Sequence, residues 1–531
     1  MNSANLLQMA VATPLVACVL LLPLKKSPLL TKKIVAFLGF FIPFAIALLL
    51  CCVFAGKRDP ESGYAFVSEM RSVGVENLGV WLQFGLNGIS LPLFTMASIV
   101  GLAAGLRAIW TKDVEMPTLY FAVLLFIQTG LLGLFASMNV FAFYIFHEFA
   151  LIPTFIAILL WGGNARKTTA ITMAVYLTLG AMISLAGLIW LYVSTLSVGA
   201  FDFASLRSFF ADGNPLSAST TNAIFALLLF GFGILVSLFP FHSWAPDTYS
   251  SAPTPVSMLH AGVLKKFGLY GLIQLGAAFL ADGLAAWAMV IFVLAIGNII
   301  LIGLITMVQR DLKQMISYSS VMHMGPIFLG IAAFAFSGGD VTGIGAAVML
   351  MFAHGLSVAL LFHLSQAVAD REGTFEMAKM GGLATKAPVL AGFFVAATLA
   401  SLGLPGFANF WGELSIFVSL ASLKPFGLIA LAVVAIVISA IYGLRAVAKV
   451  FFGKPNKEGL PEAEFEKIGD ITLRERIPAI ILLVALFAVG FIPSLVTRNL
   501  NFALAETFPA SVAQEECDTL PAAEISSISE Q

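Results

Sequence analysis

A chain of 531 residues that is 60% hydrophobic and only 11% charged, with a formal net charge of −1, is not an ordinary soluble enzyme. It has no basic stripe that would invite nucleic acid, and Cys18, Cys51, Cys52 and Cys517 have no spacing to histidine that suits a metal. Apolar runs of about 20 residues, the length of helix that crosses a bilayer, recur from end to end.

The expected fold is an all-α polytopic membrane protein with about 14 transmembrane helices. In chain order the spans fall near 4–24, 34–55, 87–109, 117–136, 138–161, 169–195, 222–239, 254–278, 284–307, 314–336, 344–368, 387–421, 425–450 and 477–495. The first has no basic segment before it and is followed by further spans, so it reads as a retained span rather than a cleaved signal. Two are expected to be broken. The seventh ends at Pro240, and 387–421 is too long for one straight span and is interrupted by Gly403, Pro405 and Gly406. Broken helices occur in membranes where backbone is shielded by protein or lines a wet cavity.

Positive charge sets the expected orientation. Loops after odd-numbered spans hold most of the lysines and arginines, among them Lys25, Lys32, Arg107, Lys167, Arg310, Arg371, Lys449 and Arg476. Segments after even-numbered spans hold only Lys57, Arg58, Arg71, Arg207, Lys424 and Arg498. The basic loops are therefore expected in the cytoplasm and both termini outside.

The breaks and the odd number of spans per half suggest two inverted five-helix repeats, as in many secondary transporters. The expected divisions are 1–116 (three helices), 117–278 (first repeat), 279–450 (second repeat), 451–508 (cytoplasmic loop and last helix) and 509–531 (polar tail). Gly199 to Pro215 is amphipathic and is expected to lie on the outer surface.

Ionisable residues inside spans are the candidates for function. Lys265 and Lys266 sit mid-span, with about twelve apolar-to-neutral residues, or ~18 Å of helix, on each side. An ammonium there costs roughly 2.5–3.5 kcal/mol, and snorkelling to a headgroup, the alternative, has far to reach. Glu148, preceded by His147, lies in FAFYIFHEFALIPTFIAILLWGG; a packing carboxyl bonded to backbone is the bland alternative. Glu413 stands eight residues after Pro405, in LPGFANFWGELSIF. His323 and His354 lie on successive spans between these groups, and each alone reads equally well as a packing histidine. Together these are the ingredients of a proton relay. His260 falls between one and two turns before Lys266, and His363, near a helix end, reads as structural.

At these residues the chain becomes recognisable. FHSWAPDTYSSAPTPVSMLHAGVLKKFGLYG resembles the strongest signature of the antiporter-like subunits of proton-pumping NADH–quinone oxidoreductase, respiratory complex I. VQRDLKQMISYSSVMHMG, AHGLSVALLFHL and TLASLGLPGFANFWGE resemble later blocks of the same family. FHEFALIPTFIAILLWGG and GVLKKFGLYGLI point to the chain M type rather than chains L or N. The resemblance implies that Glu148, Lys266 and Glu413 are the family's charged residues of spans five, eight and twelve, and that His323 and His354 link the halves. It also implies a membrane-arm subunit that carries protons, with chain L and chain N types as partners in a bacterial inner membrane. NADH, FMN, iron–sulfur clusters and quinone would then be handled by other subunits, leaving no cofactor in this chain.

One position departs from that pattern. The family's span-seven lysine, which pairs with the span-five glutamate, is Leu235 here, and 222–240 carries no charge. Adjacent helical residues point about 100° apart, so Lys265 is expected to substitute by facing Glu148 while Lys266 faces the central axis. Two other readings stay open: a subunit of a multi-subunit Na+/H+ antiporter or membrane-bound hydrogenase, and a non-pumping membrane scaffold.

Overall fold

The structure, a computed structural model, describes residues 3–508 apart from 59–62, 74–78, 197–200, 213–215, 424–426, 455–458 and 460, with the backbone alone for 427–431. The polar tail and parts of the Gly199 to Pro215 segment lie outside the described residues. Among the described residues, eleven helices are long and apolar enough to cross a membrane, or up to twelve if Leu473–Phe491 and Ser494–Thr507, bent by 65°, form one span.

The other two expected spans are helical but interrupted, which is why they do not join that count. The stretch 254–277 runs as Thr254–Leu259, a π-helical His260–Leu264, then Lys266–Gly271 and a second π-helical Leu272–Ala277. Such π turns widen a helix and free backbone groups, and they often mark functional sites. The stretch 387–421 divides into Pro388–Ser401 and Ala408–Ser422. Gly403 (φ 67°) and Gly406 (φ 97°) make the turn between them in the left-handed region that favours glycine. The seventh expected span is Ala218–Val236, which ends at Ser237 in the left-handed region. Within the amphipathic segment, Phe203–Ala211 forms a short helix capped by the Asp202 carboxylate, which accepts from the Ser205 N–H.

The helices sort by depth. Ser90–Trp110, Pro117–Ala136, Leu312–Phe336 and Thr342–Glu372 are covered almost all round, whereas Ser3–Leu21, Leu29–Gly56 and Arg166–Ser194 leave most of their surface outward. Helices that are apolar on every side belong in a core or in lipid, and both destinations are used here. The central helices are drawn together by small residues. A Cβ on Gly355 would stand 2.8 Å from the Gly262 carbonyl oxygen, and one on Gly262 3.0 Å from the Gly355 oxygen. The lysine-bearing helix and Thr342–Glu372 therefore meet backbone to backbone, a contact open only to glycine.

Candidate functional site

That close approach sets the geometry of the site, because Gly262 lies one turn before Lys266 and Gly355 follows His354. The Lys266 ammonium donates to the Ala261 carbonyl at 2.8 Å, in the π turn, and stands 3.0 Å from Nδ1 of His354. Both residues are buried. A charged lysine has three donors and no acceptor, so the ammonium requires Nδ1 of His354 to accept, with the ring proton on Nε2.

The next ring is His323, its centroid 5.5 Å from that of His354. His323 caps Leu312–Met322 and begins Met324–Phe336. Its Nδ1 lies 2.8 Å from the Ser319 carbonyl oxygen and its Nε2 3.2 Å from that of Ser401. Two carbonyls, one at each ring nitrogen, can both be satisfied only by an imidazolium. The ring is thus placed to hold a second proton.

Glu413, on Ala408–Ser422, shares the wall of one small cavity with His323 and Ser439. Its carboxylate is tucked against Gly403, where any Cβ would collide with it. The broken span therefore serves the site directly: the glycine turn makes the space that the carboxylate fills. The structure brings Lys266, His354, His323 and Glu413 into one run through the core.

Lys265 and Glu148 do not join that run as expected. The Lys265 ammonium donates to the Ser320 carbonyl at 2.8 Å and lies 3.1 Å from the Ser320 hydroxyl, and it stands over the Tyr249 ring at 5.3 Å. The π turn rotates Lys265 away from the direction a regular helix gives, toward Leu312–Phe336 rather than toward Glu148. Glu148 is partly covered within this chain: its side chain is 30% exposed, while its Oε1 is buried. Its near neighbour is His147, with Nδ1 3.3 Å from Oε1, and that ring stacks on Phe267 at 4.0 Å. Leu235 is a buried apolar residue.

His260 packs beside the rings of Trp244 and Tyr249, and His363 lies 2.8 Å from the Glu475 carbonyl, as a structural histidine would. Two residues beyond the sequence reading matter. Asn298, fully buried, donates to the carbonyls of Ser237 (3.2 Å) and Val321 (2.9 Å) and accepts from the Phe239 N–H (2.7 Å). Tyr442 stands 2.6 Å from the Ser319 hydroxyl, one turn before His323. An uncharged amide or hydroxyl in an apolar span carries little sequence signal; the polar atoms such groups must satisfy become visible only in three dimensions.

Residues 137–439, which include every one of these groups except Tyr442, match the family described as NADH:quinone oxidoreductase/Mrp antiporter, TM. The chain belongs to this family. Within the NADH:quinone oxidoreductase/Mrp antiporter family it is similar to NAD(P)H-quinone oxidoreductase chain 4 of Synechococcus sp. (strain JA-3-3Ab), 34% identical over 477 residues, 87% of this chain and 84% of that one. A chain 4 of Gloeobacter violaceus is 30% identical over 498 residues, 91% of this chain and 90% of its own length. Among solved structures, a chain of respiratory complex I from Thermus thermophilus with bound NADH superposes with a TM-score of 0.82 at 25% identity, covering 95% of this chain and 99% of that one. A chain of the Mrp complex from Dietzia sp. DQ12-45-1b shares the fold, with a TM-score of 0.79 at 20% identity over 96% of this chain and 99% of its own. These findings make the chain a multi-pass, antiporter-like membrane subunit of the complex I kind, chain 4 or chain M in type.

Proposed function

We propose that this subunit translocates protons through the buried run Lys266, His354, His323 and Glu413, driven by electron transfer from NADH to quinone in other subunits of the complex. The observation that carries the reading is the 3.0 Å contact between the Lys266 ammonium and His354 Nδ1. Lys266 passes a proton to Nδ1, the resulting imidazolium releases its Nε2 proton toward His323, and Glu413 receives it across the shared cavity. Burial excludes bulk water, so protons move only along groups that can carry them.

In this reading the chain holds no cofactor; NADH, FMN, iron–sulfur clusters and quinone belong to partner subunits. It lies in the membrane arm between subunits of the chain L and chain N types, in a bacterial inner membrane with both termini outside. The seventh span, ended at Pro240, and the stretch 387–421, broken around Pro405, are the broken elements of inverted repeats, 117–278 and 279–450, flanked by 1–116, 451–508 and 509–531. Similarity to the chain 4 relatives over most of the chain supports redox-driven pumping above Na+/H+ exchange, for which the shared Mrp fold is the basis.

The deciding experiment is proton pumping by the assembled complex in sealed vesicles, comparing wild type with Lys266→Ala and Glu148→Ala. Loss of both quinone reduction and pumping in Lys266→Ala, with assembly intact, supports the relay. Normal pumping in both variants would make the buried charges structural and the chain a scaffold.

A further inference from the structure

A path across a membrane needs groups on both sides of its central residue, and the second half of the chain has a cavity on each side of His323. His323 stands between two narrow cavities, each with room for about one water molecule. One is walled by Ser319, Ser401, Thr398 and Tyr442 among apolar side chains. It lies toward the helix ends that carry Arg310, Arg371, Lys386 and Lys449. The other, with Glu413 and Ser439, lies toward the opposite ends.

Tyr442 and Ser319 bridge the first cavity to the ring. Their hydroxyls are 2.6 Å apart, and Ser319 Oγ is 3.4 Å from His323 Nδ1. The Thr398 hydroxyl is committed to its own helix, donating to the Phe394 carbonyl. Tyr442 has no such commitment: among the described residues Ser319 is its hydrogen-bond partner. A hydroxyl both donates and accepts, so two in series can pass a proton.

We propose that Tyr442 and Ser319 form a proton inlet that feeds His323 from the side of the basic loops, giving the second half a path of its own from surface to surface. The proposal rests on the relay reading above. In each hop one O–H bond breaks as another O–H or N–H bond forms. A hydronium ion in the cavity gives a proton to Tyr442 and is left as water, while the tyrosine gives its own to Ser319, which gives its own to Nδ1. No charge remains on either hydroxyl, and the imidazolium so formed is held by the carbonyls of Ser319 and Ser401. A chain with leucine at position 235 then still has an intake.

The test compares Tyr442→Phe, Ser319→Ala, the double variant and Ser319→Thr in the assembled complex, in sealed vesicles with NADH as donor. The rate of proton uptake and its H2O/D2O ratio are measured. Each hydroxyl deletion is expected to slow uptake by roughly tenfold or more and to change the isotope ratio. The double variant should be no worse than the poorer single, because the groups act in series, and Ser319→Thr should restore uptake. Wild-type uptake and isotope ratio in Tyr442→Phe would overturn the inlet. If Lys266→Ala and Glu413→Gln still block uptake in that case, the relay stands and only the inlet is lost; if they also pump normally, both readings fall.

Discussion

The Lys266 ammonium and Nδ1 of His354, 88 positions apart in sequence, lie 3.0 Å apart in the core. They meet because Gly262 and Gly355 let the two helix backbones touch. An alanine at position 355 would put its Cβ against the Gly262 carbonyl and into the Met96 thioether. Gly355→Ala is therefore expected to part the helices and weaken the pair. Crowding of this kind costs typically about 1–3 kcal/mol. Thermal melts of the complex should show the loss of stability, and pumping should fall further than quinone reductase assembly does; wild-type pumping in this variant would contradict the geometry.

Gly403→Ala attacks the other end of the proposed relay. The left-handed backbone at position 403 costs a non-glycine residue about 1–2 kcal/mol, and the new Cβ meets the Glu413 carboxylate. We expect pumping in Gly403→Ala to resemble that of Glu413→Gln, because both remove the carboxylate from the cavity it shares with His323. Proton uptake by the two variants, measured side by side, decides the matter.

Lys265 and Glu148 face different partners, so their substitutions should act independently. In a double-mutant cycle with Lys265→Met and Glu148→Gln, the coupling energy for stability should be near zero, within about 0.5 kcal/mol. A coupling of several times that size would show that the two charges pair after all. Lys265→Met alone is expected to destabilise the chain, because the Ser320 carbonyl loses its donor in a buried site.

Asn298→Leu should be among the most damaging neutral substitutions. It leaves the carbonyls of Ser237 and Val321 and the Phe239 N–H without their side-chain partner. A buried group stripped of its partner costs about 1–3 kcal/mol. Loss of assembled complex on a native gel is the expected result, and Asn298→Asp, which keeps the acceptor for Phe239 but sets a carboxylate oxygen against the carbonyls of Ser237 and Val321, should retain no more of it.

Much of this was legible in the chain itself. Hydropathy placed the helices, Pro240 and the Gly403–Gly406 stretch marked the breaks, and buried charge singled out Lys266 and Glu413. The direction of Lys265 was not legible, because it depends on a π turn. A reading that assumes 100° per residue cannot foresee an added residue in the helix. Glu148 was read as buried from its apolar flanks, and this chain covers it in part, with Oε1 buried and the side chain 30% exposed. Asn298 and Tyr442 escaped because their importance lies in what they bond, across 61 and 123 positions of sequence.

Asn298 also has a mechanical meaning. Its amide ties the end of Ala218–Val236, where the seventh helix breaks, to Val321, two residues before His323. The break belongs to the half of the chain that lacks a span-seven lysine, and the histidine to the half that also holds His354 and Glu413. Ser237 and the turn that aims the imidazole thus share one side-chain amide. The two halves are therefore joined at this point by a side chain as well as by the backbone.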